Sequence, residues 1–182
     1  MAELKVVKTL HMAKGISMRI LLDDTQPADS LDRWINEVTC EGGPDSDTLV
    51  VPLHWHKHHS ERSYVVEGRA EVTLDGKARV VTAGEEILIP ARVIHGIKGF
   101  KGERAVLRER ADPPGDYKSL FFVDMLSTPY PGSFWHTMRT FYDGDAYPAL
   151  GLYFRFFDVA FITVFGGIAK LFVPGKSLQK LE

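Results

Sequence analysis

His54-Trp55-His56-Lys57-His58-His59-Ser60-Glu61 holds four of the chain's seven histidines and a carboxylate within eight residues. In a β-strand, side chains two apart point to the same face. His54 and His56 can therefore converge while Trp55 faces the other way. The polar stretch from Lys57 to Ser60 can turn the chain, and Glu61 opens the β-prone run Ser63-Tyr-Val-Val66. A second strand would bring the Glu61 carboxylate beside the two imidazoles. The pattern predicts a metal centre.

A fourth ligand is expected from farther along, in Gly84-Glu-Glu-Ile-Leu-Ile-Pro90-Ala-Arg-Val-Ile-His95. Gly84 suits a tight turn, Ile87 to Ile89 read as a short strand, and Pro90 ends ladder donation. His95 follows on the next extended segment.

On these residues the chain resembles the cupins. Their first motif, G-x5-H-x-H-x3,4-E-x6-G, is matched by His54, His56, Glu61 and Gly68, and their second, G-x5-P-x-G-x2-H-x3-N, by Gly84, Pro90 and His95. Thr48, Arg92 and Gly99 depart from the pattern at turn and rim positions. The resemblance covers roughly residues 35 to 110. It implies an all-β cupin barrel, a double-stranded β-helix or jelly roll, with His54, His56, Glu61 and His95 as metal ligands.

The remaining pattern agrees. Leu4 to Leu10, Ile16 to Leu22, Arg33 to Cys40 and Leu49 to His56 read as strands. Asp75-Gly76 supplies the positive φ angles of a two-residue hairpin turn between Arg69–Leu74 and Lys77–Thr82. Short strands at this spacing predict an antiparallel barrel or sandwich. Asp112-Pro-Pro-Gly115 closes this part, giving a β domain over 1–112 and a helical extension over 113–182.

The extension should hold helices at Asp116–Leu126 and Phe134–Tyr142, with Asp143-Gly-Asp145 as a turn between helices. Pro148 to Val173 reads as a long apolar helix, Pro148 in its first turn, with Arg155 and Asp158 paired on one face. It is expected to pack on the barrel or to pair two copies in a homodimer. The alternative is a helix lying on a membrane surface through Phe154, Phe157, Phe161 and Phe165. Only Val159 to Ala169 is free of charge, too short to span a bilayer.

A net charge of -2 without a long basic run argues against nucleic acid as a partner. The single cysteine, Cys40, excludes an intrachain disulfide and fits a small core residue. The N-terminal segment lacks the apolar core of a signal peptide, so a cytoplasmic location is expected, or a peripheral one on an intracellular membrane.

Three imidazoles and a carboxylate suit one divalent transition metal, Fe or Mn ahead of Zn, Ni or Cu, rather than Mg or Ca. Open coordination positions would make the centre reactive, with Glu61 able to accept a proton. Tyr64, Arg62, Arg92 and Phe100 are candidates for the substrate pocket, and His58 and His59 read as solvated turn residues, with one of them as a proton shuttle or pocket-mouth residue the alternative. The cupin resemblance implies a metal-dependent enzyme on a hydrophobic small molecule, an oxidoreductase of the dioxygenase kind. Redox-neutral isomerisation, cyclisation or decarboxylation is the alternative, and a non-catalytic sensor comes third.

Overall fold

The computed structural model describes residues 4–127, 133–152, 154–175 and 181. Ten strands come first: β1 Lys5–Ala13, β2 Ile16–Leu22, β3 Trp34–Cys40, β4 Val50–Trp55, β5 Ser60–Glu67, β6 Arg69–Leu74, β7 Lys77–Thr82, β8 Glu86–Ile89, β9 His95–Lys98 and β10 Ala105–Asp112. The helices α1 Tyr117–Met125, α2 Phe134–Asp143 and α3 Arg155–Ala169 follow, with a two-residue strand β11, Tyr147–Pro148, ahead of α3.

The strands form two antiparallel sheets, ordered β1-β2-β3-β10-β5-β8 and β11-β4-β9-β6-β7. This is the jelly-roll architecture expected of the sequence. Among the described residues, ladder bonds do not close the two sheets into one continuous barrel.

Period-two alternation builds the core. On β5, Glu61, Ser63 and Val65 are buried while Tyr64 is half-exposed and Val66 exposed. Ile16, Leu49, Val65, Val72, Val81, Ile87, Ile89 and Leu107 fill the space between the sheets. Each such side chain contributes roughly 1.5–3 kcal/mol by leaving water.

The turns follow their residues. Asp75 and Gly76 take φ of 43° and 80° at the β6–β7 hairpin. Gly68, at φ 73°, has no alternative: a Cβ there would stand 2.2 Å from the Arg104 carbonyl oxygen.

The helices belong to the same body as the sheets. Phe122 and Val123 of α1 pack on Leu10, Met18, Ile20, Leu22 and Trp34 from the outer strands of the larger sheet. α2 and α3 pack together through Met138, Ile162 and Ala169. Gly166 lets them approach, since a Cβ would meet the Tyr142 Cβ at 2.5 Å.

The last apolar stretch departs from expectation. Its helix begins at Arg155, because Pro148 is used by β11, which pairs with β4 through Tyr147↔Trp55 and Pro148↔His54. Arg155 and Asp158 do not pair: Asp158 is buried and accepts bonds from Trp55 Nε1 at 2.9 Å and the Leu150 amide at 3.0 Å, while Arg155 reaches Asp75 at 3.6 Å. The expected phenylalanine stripe is split. Phe161 and Phe165 pack toward α2 and the rings of Phe134 and Trp135, whereas Phe154, Phe156 and Phe157 are exposed. Among the described residues no helix is long and apolar enough to cross a membrane.

Candidate metal centre

The site spans both sheets. His54 is on β4 opposite His95 on β9, His56 follows β4 directly, and Glu61 enters from β5 of the facing sheet. One ligand atom from each of the four residues lies within 4.8 Å of all the others. The structure thus brings together the four residues read from the sequence.

Hydrogen bonds orient the imidazoles. His54 Nδ1 donates to the Pro52 carbonyl at 2.8 Å, His56 Nδ1 to the Asp145 carbonyl at 2.8 Å, and His95 Nδ1 to the Val93 carbonyl at 3.0 Å. A carbonyl only accepts, so all three protons sit on Nδ1 and each Nε2 presents a lone pair, that of His56 toward the Lys118 ammonium at 3.2 Å.

The lone pairs face a carboxylate. His56 Nε2 is 2.9 Å from Glu61 Oε1 and His95 Nε2 is 3.2 Å from Glu61 Oε2, with no imidazole proton between them. His95 Nε2 is buried and lacks a hydrogen-bond partner. Electron pairs opposed in a buried space call for a cation, and three imidazoles with one carboxylate are the donors a divalent transition metal takes. The residues fit a metal.

Electrostatics keeps the donors ready. Burial, reinforced by His95, pushes His54 down to about 3, and burial with the Lys118 charge pushes His56 down to about 4. Both are neutral at physiological pH. Burial works against the Glu61 charge, but Lys118 and His56 outweigh it and hold the carboxyl well below its usual range.

Several residues at the site were not legible as such. Lys118 of α1 is buried, ion-paired with Glu61 Oε1, and 3.2 Å from His56 Nε2. Glu109 of β10 lies 3.8 Å from Lys118 Nζ, its Oε1 buried without a hydrogen bond. Burial, then the Glu61 charge, raises Glu109 to about 7.

His59 is not a solvated turn residue: it is buried, stacked on His56 with ring centres 4.1 Å apart, and bonded through Nδ1 to Asp145 Oδ2 at 3.0 Å. Burial opposes protonation of His59, but hydrogen bonds to Asp145 and Glu61 raise it overall. His58 is exposed, as expected. Asp145 also accepts from the Lys57 and His58 amides at 3.2 and 2.8 Å, so a residue read as a simple turn former clamps the ligand loop.

Beside the ligands lies a cavity of about 650 Å³. Its walls come from strand residues such as Met18, Leu49, Val51 and Leu107 and from Phe121, Phe122, Met125 and Phe141 of the helices. The metal ligands His54, His56, Glu61 and His95 line it together with Glu109 and Lys118, and Asp47, Thr48, Ser63, Arg108 and Thr137 complete its polar lining.

The four expected pocket residues lie off this cavity. Arg62 and Tyr64 alternate away from Glu61, and Arg62 pairs with Glu86 on the outer surface. Arg92 is exposed at φ 68°, a left-handed position, and serves the site by its amide, which donates to the His56 carbonyl at 2.7 Å. Phe100 packs under the Arg69 guanidinium, 4.3 Å from the ring centre. Trp55 does face away from the ligands, stacking on Tyr147.

Comparison with known proteins agrees with this geometry. The family model described as "Cupin domain" matches residues 45–107. The polyketide synthase CurC of Streptomyces cyaneus is 35% identical over 71 residues, covering 39% of this chain and 46% of the relative, so the chain spans about half the length of that protein. Among solved structures, KdgF from Halomonas sp. is 26% identical with a TM-score of 0.42, over 56% of this chain and 82% of that one. An RmlC-like cupin from Shewanella frigidimarina is 25% identical with a TM-score of 0.45, over 58% and 83%. The two sequence motifs meet across a jelly roll, and it is the stretch from the loop before β4 into β10, residues 45–107, that matches the cupin domain.

Proposed function

We propose that this protein is a metal-dependent enzyme that transfers protons on a hydrophobic, oxygen-bearing small molecule, in a redox-neutral isomerisation, cyclisation or decarboxylation. The observation that carries this reading is Glu109, which lines the same cavity as the imidazoles and Glu61 with a buried oxygen that makes no hydrogen bond. A carboxyl raised to about 7 both takes and returns a proton near neutrality, which is what general acid–base catalysis requires.

His54, His56, Glu61 and His95 would hold the metal, which when bound supplies Lewis-acid polarisation of a substrate oxygen. The mostly apolar walls orient the substrate body and exclude water, leaving the metal-ligand end as the reacting region. The cavity volume suits a molecule of ordinary metabolite size. Similarity to a polyketide synthase over part of the chain supports a ketide-like substrate.

An oxidoreductase of the dioxygenase kind is the second reading. It is favoured by the donor set, which accepts iron, manganese or copper as readily as zinc. Elemental analysis of the purified protein, with O2 uptake and deuterium exchange at C2 of ethyl 3-oxodecanoate, tests both. Metal-dependent exchange above the uncatalysed rate without O2 consumption is expected. O2 consumption tied to substrate loss would replace the first reading with the second, and a protein that takes up no metal would overturn both.

A further inference from the structure

We propose that Lys118 is the anion-recognition group of the cavity, so that the ligand is an amphipathic anion: an apolar body ending in a negatively charged oxygen. This rests on the metal-dependent reading above and names its substrate class.

The cavity walls are mostly apolar, and of the two cations that line it Arg108 is held by Glu37 at 2.8 Å, while Lys118 stands beside the metal ligands. It comes from α1, outside the residues the family model matches. Lys118 is 3% exposed, and its ammonium sits 5.4 and 5.5 Å from the ring centres of Phe121 and Phe122, with Glu61 and Glu109 as its carboxylate neighbours. A buried ammonium needs a close counter-charge.

A metal held by Glu61 and His56 would draw on the electron pairs that Lys118 now faces, so that Glu61 is shared between two cations. The other acceptors near Lys118 are His59 Nε2 at 3.5 Å and Glu109 at 3.8 Å, the latter beyond hydrogen-bond reach. The metal-ligand end then carries a surplus of positive charge in a space with mostly apolar walls. A carboxylate or enolate oxygen supplies both the missing charge and the missing acceptor, while a neutral alcohol of the same length supplies only the acceptor. Charge-assisted bonds of this kind are about twice as strong as neutral ones.

The test compares decanoate with 1-decanol by calorimetric titration of the zinc-loaded full chain. Decanoate is expected to bind at least tenfold more tightly. Lys118→Met should lose that advantage while binding decanol within twofold of the wild type, which shows the cavity intact, and Lys118→Arg should restore most of it. Equal binding of both probes to the wild type, or an unchanged preference in Lys118→Met, would overturn the inference. Zinc uptake is measured first: a wild-type chain that takes none sinks this inference together with the metal reading, whereas uptake without discrimination sinks this one alone. A Lys118→Met chain that binds neither probe marks Lys118 as a structural prop and also overturns it.

Discussion

His95 Nε2 stands 3.2 Å from Glu61 Oε2, with the imidazole proton committed to the Val93 carbonyl on the opposite side of the ring. Neither atom can satisfy the other, and His95 is 1% exposed, so water does not relieve the opposition. The pair holds together because the β4–β9 ladder fixes His95 beside His54 while β5 fixes Glu61 on the facing sheet. A cation held between them would relieve the opposition and so stabilise the fold.

From this follows a stability test. Zinc at about a hundred times its Kd should stabilise the native state by about 2.7 kcal/mol, raising Tm by roughly 5–10 °C for a chain of this size. His95→Ala should abolish the shift, as read by differential scanning fluorimetry with and without zinc. An equal shift in the variant would remove His95 from the ligand set.

The affinity for zinc should also depend little on pH. Protons compete with a metal only below a ligand's own pKa, and His54 and His56 lie at about 3 and 4. Between pH 7.5 and 5.5 two imidazoles of ordinary pKa would together weaken binding about a hundredfold. Here the loss should stay under about tenfold, measured by competition against a chromophoric chelator. A hundredfold loss would mean that the two rings titrate like solvated histidines.

Glu109 titrates in the opposite sense. Its folded pKa, about 7, lies above the carboxylate value of 4.5, so the native state holds a proton that the unfolded chain has released between those limits. Its contribution to stability is full below pH 4.5 and is lost as pH rises through 7. Glu109→Gln, which cannot ionise, should therefore gain on the wild type across this window and level off above it, by on the order of 2 kcal/mol. Urea midpoints of the metal-free proteins at pH 5 and 8 measure the difference, and a pH-independent gap would deny that Glu109 is perturbed.

Sequence carried the local half of the site. The His54, His56 and Glu61 spacing and the Asp75-Gly76 turn are short-range patterns, and the structure realises them as read. The orientation of β5 was also within reach: once Glu61 is taken as inward, a period of two puts Ser63 and Val65 inside and Arg62 and Tyr64 outside. Lys118, Glu109 and Asp145 had no such signal. A lysine in a helix and a glutamate between two arginines read as solvated, and only the return of α1 and β11 onto the sheets turns them inward. The start of α3 was misjudged for a related reason, since pairing of Pro148 with β4 is a tertiary event that helix propensity does not see.

Asp145 offers the sharpest test of that long-range half. Its carboxylate holds the Lys57 and His58 amides and His59, and its carbonyl holds His56 Nδ1, from a backbone φ of 56°. Asparagine tolerates this left-handed conformation and keeps one acceptor, whereas alanine keeps only the carbonyl bond, loses those of the carboxylate and strains the turn. Asp145→Ala should thus weaken zinc binding by about 10–100-fold, the usual effect of removing a residue that orients a ligand, and destabilise the metal-free fold by about 1–3 kcal/mol. Asp145→Asn should fall between that variant and the wild type in both. Calorimetric zinc titration and urea unfolding of the two variants separate the cases: if Asp145→Ala binds zinc as the wild type does, the Asp145 carboxylate does not position the ligand loop.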